Sequence, residues 1–286
     1  MKAEILFPKA VDHHKPNKPL VPNGLGAIYV LVGAVYLFLL YYFNNLAALP
    51  LAGCILFGGF MGLLDDWMDL RWRYKAFLPI FASLPLAVQR EALGPEATMM
   101  ATYIFGRVDF GVYFYFIIIP LIVTVTTNTV NQLGGLNGLE TICPSIVMVG
   151  LMVTSPEKSI LLLGPLLVYL VLGGLNFSGK IFVGNTGSFA VGITLASYAV
   201  IANIEQTLLI SILPFIFNSS LILLNVFFYR RIAHLSLKEN KLYADHRRSL
   251  LTLIARHKPL TERKLVLVVS LLVAISTLLA IFAWLK

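Results

Sequence analysis

The sequence predicts an all-α integral membrane protein of about nine transmembrane helices, and three observations carry that prediction. Of 286 residues, 58% are hydrophobic and only 13% charged. The apolar residues come in long runs, without the alternation that a soluble core would need. Positive charge, finally, collects on alternate connections between those runs.

A helix crossing roughly 30 Å of hydrocarbon needs about 20 residues. The chain opens on a polar arm, residues 1–23, with Pro8, Pro16, Pro19 and Pro22 and no apolar stretch of signal-peptide length, so the first span is expected to serve as the insertion signal. That span runs from Gly24 to Phe43, and the second from Ala47 to Leu64. The third, Ala76 to Val88, is short and holds Pro79 and Pro85. Six more follow: Tyr113 to Thr127, Leu139 to Thr154, Ser159 to Leu175, Gly187 to Asn203, Thr207 to Tyr229 and Leu265 to Leu285. If all nine cross, one face collects Lys2, Lys9, Lys15, Lys18, Arg71, Arg73, Lys75, Lys180 and the ten Lys and Arg from Arg230 to Lys264. That is 18 of the 22, leaving Arg90, Arg107, Lys158 and Lys286 opposite. Omitting the third span destroys this segregation, so it is retained.

The positive-inside rule makes the rich face cytoplasmic, with the N-terminus on it and Lys286 on the other side. The net charge of +8 is then topological, and no nucleic-acid partner is expected. Without a repeat, low-complexity tract or linker, residues 1–286 read as a single domain. Cys54 and Cys143 lack CxxC spacing and read as small packing residues.

The polar clusters all fall on the cytoplasmic face: "PKAVDHHKPNKPLVPNGLG", "LLDDWMDLRWRYK", "NTVNQLGGLNGLE", "NFSGKIFVGNTGSF" and "YADHRRSLLTLIARHK". Asp65, Asp66 and Asp69 directly follow an apolar run, where anions are costly unless they meet cations. If the helix continues, Asp65 and Asp69 share a face at i and i+4. This spacing suits a hard divalent ion with phosphate oxygens as further ligands, and Arg71, Arg73 and Lys75 add the cations that phosphate requires. A solvated acidic turn is the alternative. Asn128, Asn131 and Asn137 supply amide donors and acceptors, while Gly134, Gly135 and Gly138 let backbone approach a ligand. At the start of the seventh span, "FVGNTGS" offers free N–H groups and a helix dipole to an anion. Simple capping by Asn185 or Thr186 remains open.

Together these loops resemble the polyprenyl-phosphate N-acetylhexosamine-1-phosphate transferases. "NQLGGLNGLE" and "LRWRYK" are most similar to the eukaryotic and archaeal dolichyl-phosphate N-acetylglucosamine-1-phosphate transferases. The resemblance covers residues 9 to 250 and rests on four motifs in order on one face. It implies that a lipid phosphate attacks the β-phosphorus of UDP-GlcNAc, releasing UMP and leaving polyprenyl-diphosphate-GlcNAc, the first step of lipid-linked oligosaccharide assembly for N-glycosylation. It implies Mg²⁺, with Mn²⁺ as an alternative, and as partners UDP-GlcNAc, polyprenyl or dolichyl phosphate and membrane lipids, leaving room for a homodimer. The membrane would be the plasma membrane in an archaeon and the endoplasmic reticulum in a eukaryote.

Carried over by residue, the resemblance makes Asp65 and Asp66 the paired aspartates near the transferring phosphate and Lys75 a contact to pyrophosphate. Asn131 is a metal ligand, and Asn128 joins the substrate-binding residues. Gly135 and Asn137 surround the uracil, on which Phe182 stacks. His246 and Arg247 match a His/Arg motif that holds sugar and pyrophosphate. The triple-histidine motif of the bacterial cell-wall branch is absent. Two departures stand out. Asn185 occupies a position where an aspartate normally ligates the metal, which removes a full charge at short range. The family also normally has ten spans, and this chain begins where the first ends. A catalytically silent relative that binds polyprenyl lipid or scaffolds a glycosylation complex is therefore the alternative to the enzyme. A transporter is less favoured, because transporters place polar residues at the membrane midplane.

Overall fold

In a computed structural model that describes residues 7–88, 98–102, 106–230 and 232–285, helices appear where the apolar runs require them, and three short hairpins are added to them. The polar arm forms the first, β1 (Lys9–Val11) against β2 (Leu20–Pro22), with Ala10 opposite Val21. Then come α1 (Gly26–Tyr42) and α2 (Ala48–Met68). The third expected span is broken into α3 (Trp72–Phe77), α4 (Pro79–Ala82) and α5 (Leu84–Val88). Pro79 and Pro85 each lack the N–H that a continuous helix would use, and the chain turns at both.

The second hairpin, β3 (Met99–Thr102) and β4 (Gly106–Asp109), precedes a wide π turn at Phe114–Ile118 that leads into α6 (Ile119–Gln132). Pro120, in the first turn of α6, has no N–H to continue the regular ladder into that turn. Four helices follow, α7 (Leu139–Thr154), α8 (Ile160–Phe177), α9 (Gly184–Ala202) and α10 (Glu205–Ser211). Next is α11 (Leu213–Tyr229), bent 62° from α10. The third hairpin, β5 (Ser236–Lys238) and β6 (Lys241–Tyr243), leads to α12 (Leu250–His257) and α13 (Glu262–Trp284).

By length and composition, five helices among the described residues can cross a membrane: α2, the Phe114–Gln132 unit, α8, α9 and α13. The bent α10–α11 pair would make a sixth, and α1 and α7 are shorter apolar helices. Their outer faces expose large apolar side chains, such as Leu31 and Leu39 on α1, Leu170 and Val171 on α8, and Leu271 and Leu279 on α13. A surface of this kind belongs against hydrocarbon, and the chain is an integral membrane protein of helical fold. Lys2, Arg90, Arg231 and Lys286, which enter the charge count, lie outside the described residues. Cys54 and Cys143 are buried and unpaired, as packing residues should be.

At the centre stands α9, buried at every residue from Thr186 to Ile201 and surrounded by α1, α2, α6, α7 and α10. Small residues permit this. A Cβ on Gly62 of α2 would overlap the carbonyl of Asn185 and the backbone of Thr186, so only glycine lets the end of α2 meet the start of α9. That crossing positions the site.

Candidate active site

Asp66, one turn beyond Gly62, accepts hydrogen bonds from the backbone N–H of Asn185 at 2.9 Å and of Thr186 at 2.9 Å, and from the Thr186 hydroxyl at 2.6 Å. The anion expected at this helix N-terminus is therefore supplied by the chain itself, 119 residues away in sequence. Neither Asn185 nor Thr186 caps α9 with its own side chain. The Asp66 carboxylate satisfies two of the orphan N–H groups and complements the helix dipole.

Asp65 is buried beside it. One carboxylate oxygen accepts from the Leu70 N–H at 3.0 Å and from Lys75 Nζ at 2.9 Å, while the other oxygen, Oδ2, has no hydrogen-bond partner. Asp69 ends α2 in a left-handed conformation and lies 3.6 Å from the same Lys75. The expected i, i+4 carboxylate pair thus shares one ammonium brought back by α3, which explains how these anions are accommodated at the membrane boundary.

Asn131 Oδ1 accepts from Ser188 at 2.6 Å, and that hydroxyl also reaches the Asn185 carbonyl at 3.4 Å. Asn128 donates to the carbonyls of Ala76 and Thr124, tying α3 to α6. Gly135 has φ +100°, a left-handed conformation that glycine alone adopts freely, and its N–H donates to Glu140 at 2.9 Å. Asn137 is 3% exposed, with Nδ2 donating both to Asp12 at 2.7 Å and to Glu262 at 2.9 Å. Its amide orientation is thereby determined, because only an NH₂ group can face two carboxylates. Asp12, His14 and Glu262 bring ligand atoms within 4.8 Å of one another, and the Asn137 amide donates to both of the carboxylates. Burial holds the His14 imidazole below its ordinary value, against the opposing pull of Glu262 and Asp12.

Several hollows border this network, one of them lined by His13, His14, Gly134, Gly135 and His234, and two others matter most. A cavity of about 370 Å³ is lined by Asp12, His13, His14, Asn23, Asp66, Gly135, Glu140, Phe182 and Asn185. A groove of about 480 Å³ runs between α3, α6 and α11, its walls formed by Trp72, Val125, Ile216, Leu223, Val226 and Phe227, with Lys75, Asn128 and Asn131 at its polar end. The two share no lining residue but are linked through contacting ones: Asp65, paired with Lys75, is next to Asp66, and Asn131 is bonded through Ser188 to the Asn185 carbonyl. His246 and Arg247 border neither hollow; they line an open depression with Asn225, Tyr229, Arg248 and Arg256.

A profile of glycosyl transferase family 4 matches residues 48–203, the segment that carries α2, the asparagine loop and α9. The chain belongs to glycosyl transferase family 4. It is 31% identical over 72% of its length to a Saccharolobus solfataricus protein provisionally named UDP-N-acetylglucosamine–dolichyl-phosphate N-acetylglucosaminephosphotransferase. A Dictyostelium discoideum protein with that name, unqualified, is 30% identical over 55% of this chain and 47% of its own. A Methanocaldococcus jannaschii protein provisionally named as a glycosyltransferase is 26% identical over 94% of this chain and 85% of its own. The match spans 66% of the S. solfataricus protein, just under two thirds. Within this family member, nothing in the sequence alone marks Asp12, His13, His14, Glu140, Ser188 or Glu262 for the network. "DHHK" was visible as a polar cluster, but nothing in it signals that its aspartate folds onto Asn137.

Proposed function

We propose that this chain transfers N-acetylglucosamine 1-phosphate from UDP-GlcNAc to a polyprenyl or dolichyl phosphate, releasing UMP, at the cytoplasmic face of its membrane. The observation that supports it is the junction of a polar cavity with an apolar groove at Asp65, Asp66, Asn131 and Asn185. A water-soluble nucleotide sugar fits the first and a polyprenyl chain the second, with the reacting phosphates meeting over the residues that link them.

A lipid phosphate carries most of its second charge at neutral pH, its second pKa being about 6, so attack needs alignment and charge neutralisation more than a general base. Lys75 supplies a cation at the polar end of the groove. Phe182 offers an aromatic face for the uracil, and Gly135 leaves room beside it. Asn137, held by Asp12 and Glu262, fixes the loop that closes round the base. Asp66 locks the start of α9 and so keeps Asn185 at the cavity wall. The unpartnered Oδ2 of Asp65 and the amide oxygens of Asn131 and Asn185 are hard donors of the kind that suits Mg²⁺ or Mn²⁺. Such an ion, when bound, would neutralise charge on the pyrophosphate.

Asn185 favours one other reading, a silent relative that binds polyprenyl lipid, because it lacks the charge of a ligating aspartate. Transfer of labelled sugar phosphate from UDP-GlcNAc to a polyprenyl phosphate in detergent separates the two. Lipid-dependent product supports the transferase, and its absence in a preparation that still binds UDP-GlcNAc rejects it.

A further inference from the structure

The hollow lined by His13, His14, Gly134, Gly135 and His234 measures about 370 Å³ and borders both the polar cavity and the apolar groove. It shares His13, His14, Gly135 and Leu136 with the cavity, and Gln132 and Ile222 with the groove. On the transferase reading, on which this inference rests, the nucleotide lies in the cavity and the lipid in the groove. The sugar is joined through C1 to the nucleotide's pyrophosphate, whose β-phosphorus must meet the lipid phosphate. A hollow that borders both sites is therefore the space left for the sugar.

Most polar side chains on its wall already have partners. Asn218 Nδ2 donates to the Gln132 carbonyl, and its Oδ1 accepts from the Leu250 N–H, each at 3.0 Å. Ser249 and Thr252 cap α12, each hydroxyl accepting from the other residue's backbone N–H. His234 Nδ1 lies 3.2 Å from His246 Nε2, and burial, reinforced by the nearby Arg248, holds the His246 imidazole below its ordinary value. Gln132 differs. Its amide oxygen, Oε1, is buried without a hydrogen-bond partner, and such an atom costs free energy until a donor reaches it. The residue as a whole is half-buried, and a turn about its side-chain bonds presents the oxygen to a ligand in the hollow.

Gln132 follows Asn131 at the end of α6, and one step along a helix turns the side chain by about 100°. Asn131 is bonded to Ser188 at the transfer point, while Gln132 lines the hollow beside it. A substituent at C2 of the sugar is one atom from the anomeric carbon and so falls next to the transferring phosphate. We propose that Gln132 is the residue that selects the sugar, its Oε1 accepting from the N–H of a 2-acetamido group while the acetyl methyl packs on Leu136, Ile222 and Leu251. Those three side chains supply the apolar part of the wall. An amide oxygen only accepts, so it rewards the N–H and is left unpaired by a sugar with nothing but hydrogen at C2.

Calorimetry on the full chain in detergent, with Mg²⁺ present, tests this using UDP, UDP-GlcNAc and UDP-2-deoxyglucose, which keeps the sugar ring but has no donor at C2. Wild type should bind UDP-GlcNAc at least about tenfold more tightly than UDP-2-deoxyglucose. Gln132→Leu should narrow that preference at least about fivefold while binding UDP as wild type does. Equal wild-type affinities for the two nucleotide sugars overturn the assignment without any variant. A preference that the substitution leaves intact also overturns it, and so does loss of UDP binding by the variant, which would make Gln132 a structural residue. Wild type that binds none of the three nucleotides rejects the transferase reading itself, so the two failures are told apart.

Discussion

Replacing Asn185 by aspartate adds a second carboxylate to a helix N-terminus that Asp66 already occupies through the N–H groups of residues 185 and 186, at 2.9 Å each. At a separation of ~5 Å and an effective dielectric of about 20, two like charges repel by about 3 kcal/mol. The helix N-terminus offsets up to about 1 kcal/mol of that. Without divalent ions, Asn185→Asp should therefore lower stability by roughly 2 kcal/mol, which is a drop of several degrees in melting temperature. Mg²⁺ held by the proposed donors would reverse the sign, because the added carboxylate would then face a cation. Half-saturation by Mg²⁺ should move down at least about tenfold, or 1.4 kcal/mol. Wild type and variant would be titrated with Mg²⁺ after chelation, following thermal unfolding together with UMP release in the presence and absence of lipid phosphate. Equal Mg²⁺ stabilisation of the two proteins would refute the reasoning, since residue 185 would then not sense the ion. Lipid-dependent release from the variant alone would make the natural chain a disabled copy.

Four further outcomes follow from the same geometry. Asp66→Ala and Asn131→Ala should each lower turnover by at least about two decades, and full activity in chelator would remove the metal from the proposal. Asp12→Ala deprives the Asn137 amide of an acceptor and should cost about 1 to 3 kcal/mol; it should raise KM for UDP-GlcNAc more than it lowers kcat, and an unchanged KM would count against Asn137 as part of the nucleotide site. His14 and His246 are both held below their ordinary values in the fold, so the unfolded chain binds protons more readily. Stability should be full above about pH 6.5 and decline as pH falls from there toward the folded values, and melting curves of His14→Gln should show a weaker decline than wild type. The nine crossings that the sequence predicts would put the two ends on opposite sides, so reporter fusions there should respond oppositely; like responses would mean an even number of spans.

The sequence by itself determined the class of the molecule, most of its helices and which loops gather at one end. Burial of apolar runs and the bias of positive charge are properties summed along the chain, and each can be read without knowing what touches what. Thus Leu139–Thr154 appears as a helix with the expected bounds, and the aspartate, asparagine and glycine motifs converge on one network. The third span shows where summation fails, since Pro79 and Pro85 were visible but the path of the broken run depends on the helices packed around it. The tertiary structure alone decided what each polar atom meets. Asp66 caps a helix 119 residues away, and Asn137 is gripped by Asp12 and Glu262, each 125 residues distant. A hydrogen bond requires a partner within about 3 Å and in line, a condition set by how helices cross. Here that crossing turns on Gly62, whose missing side chain lets α2 and α9 touch.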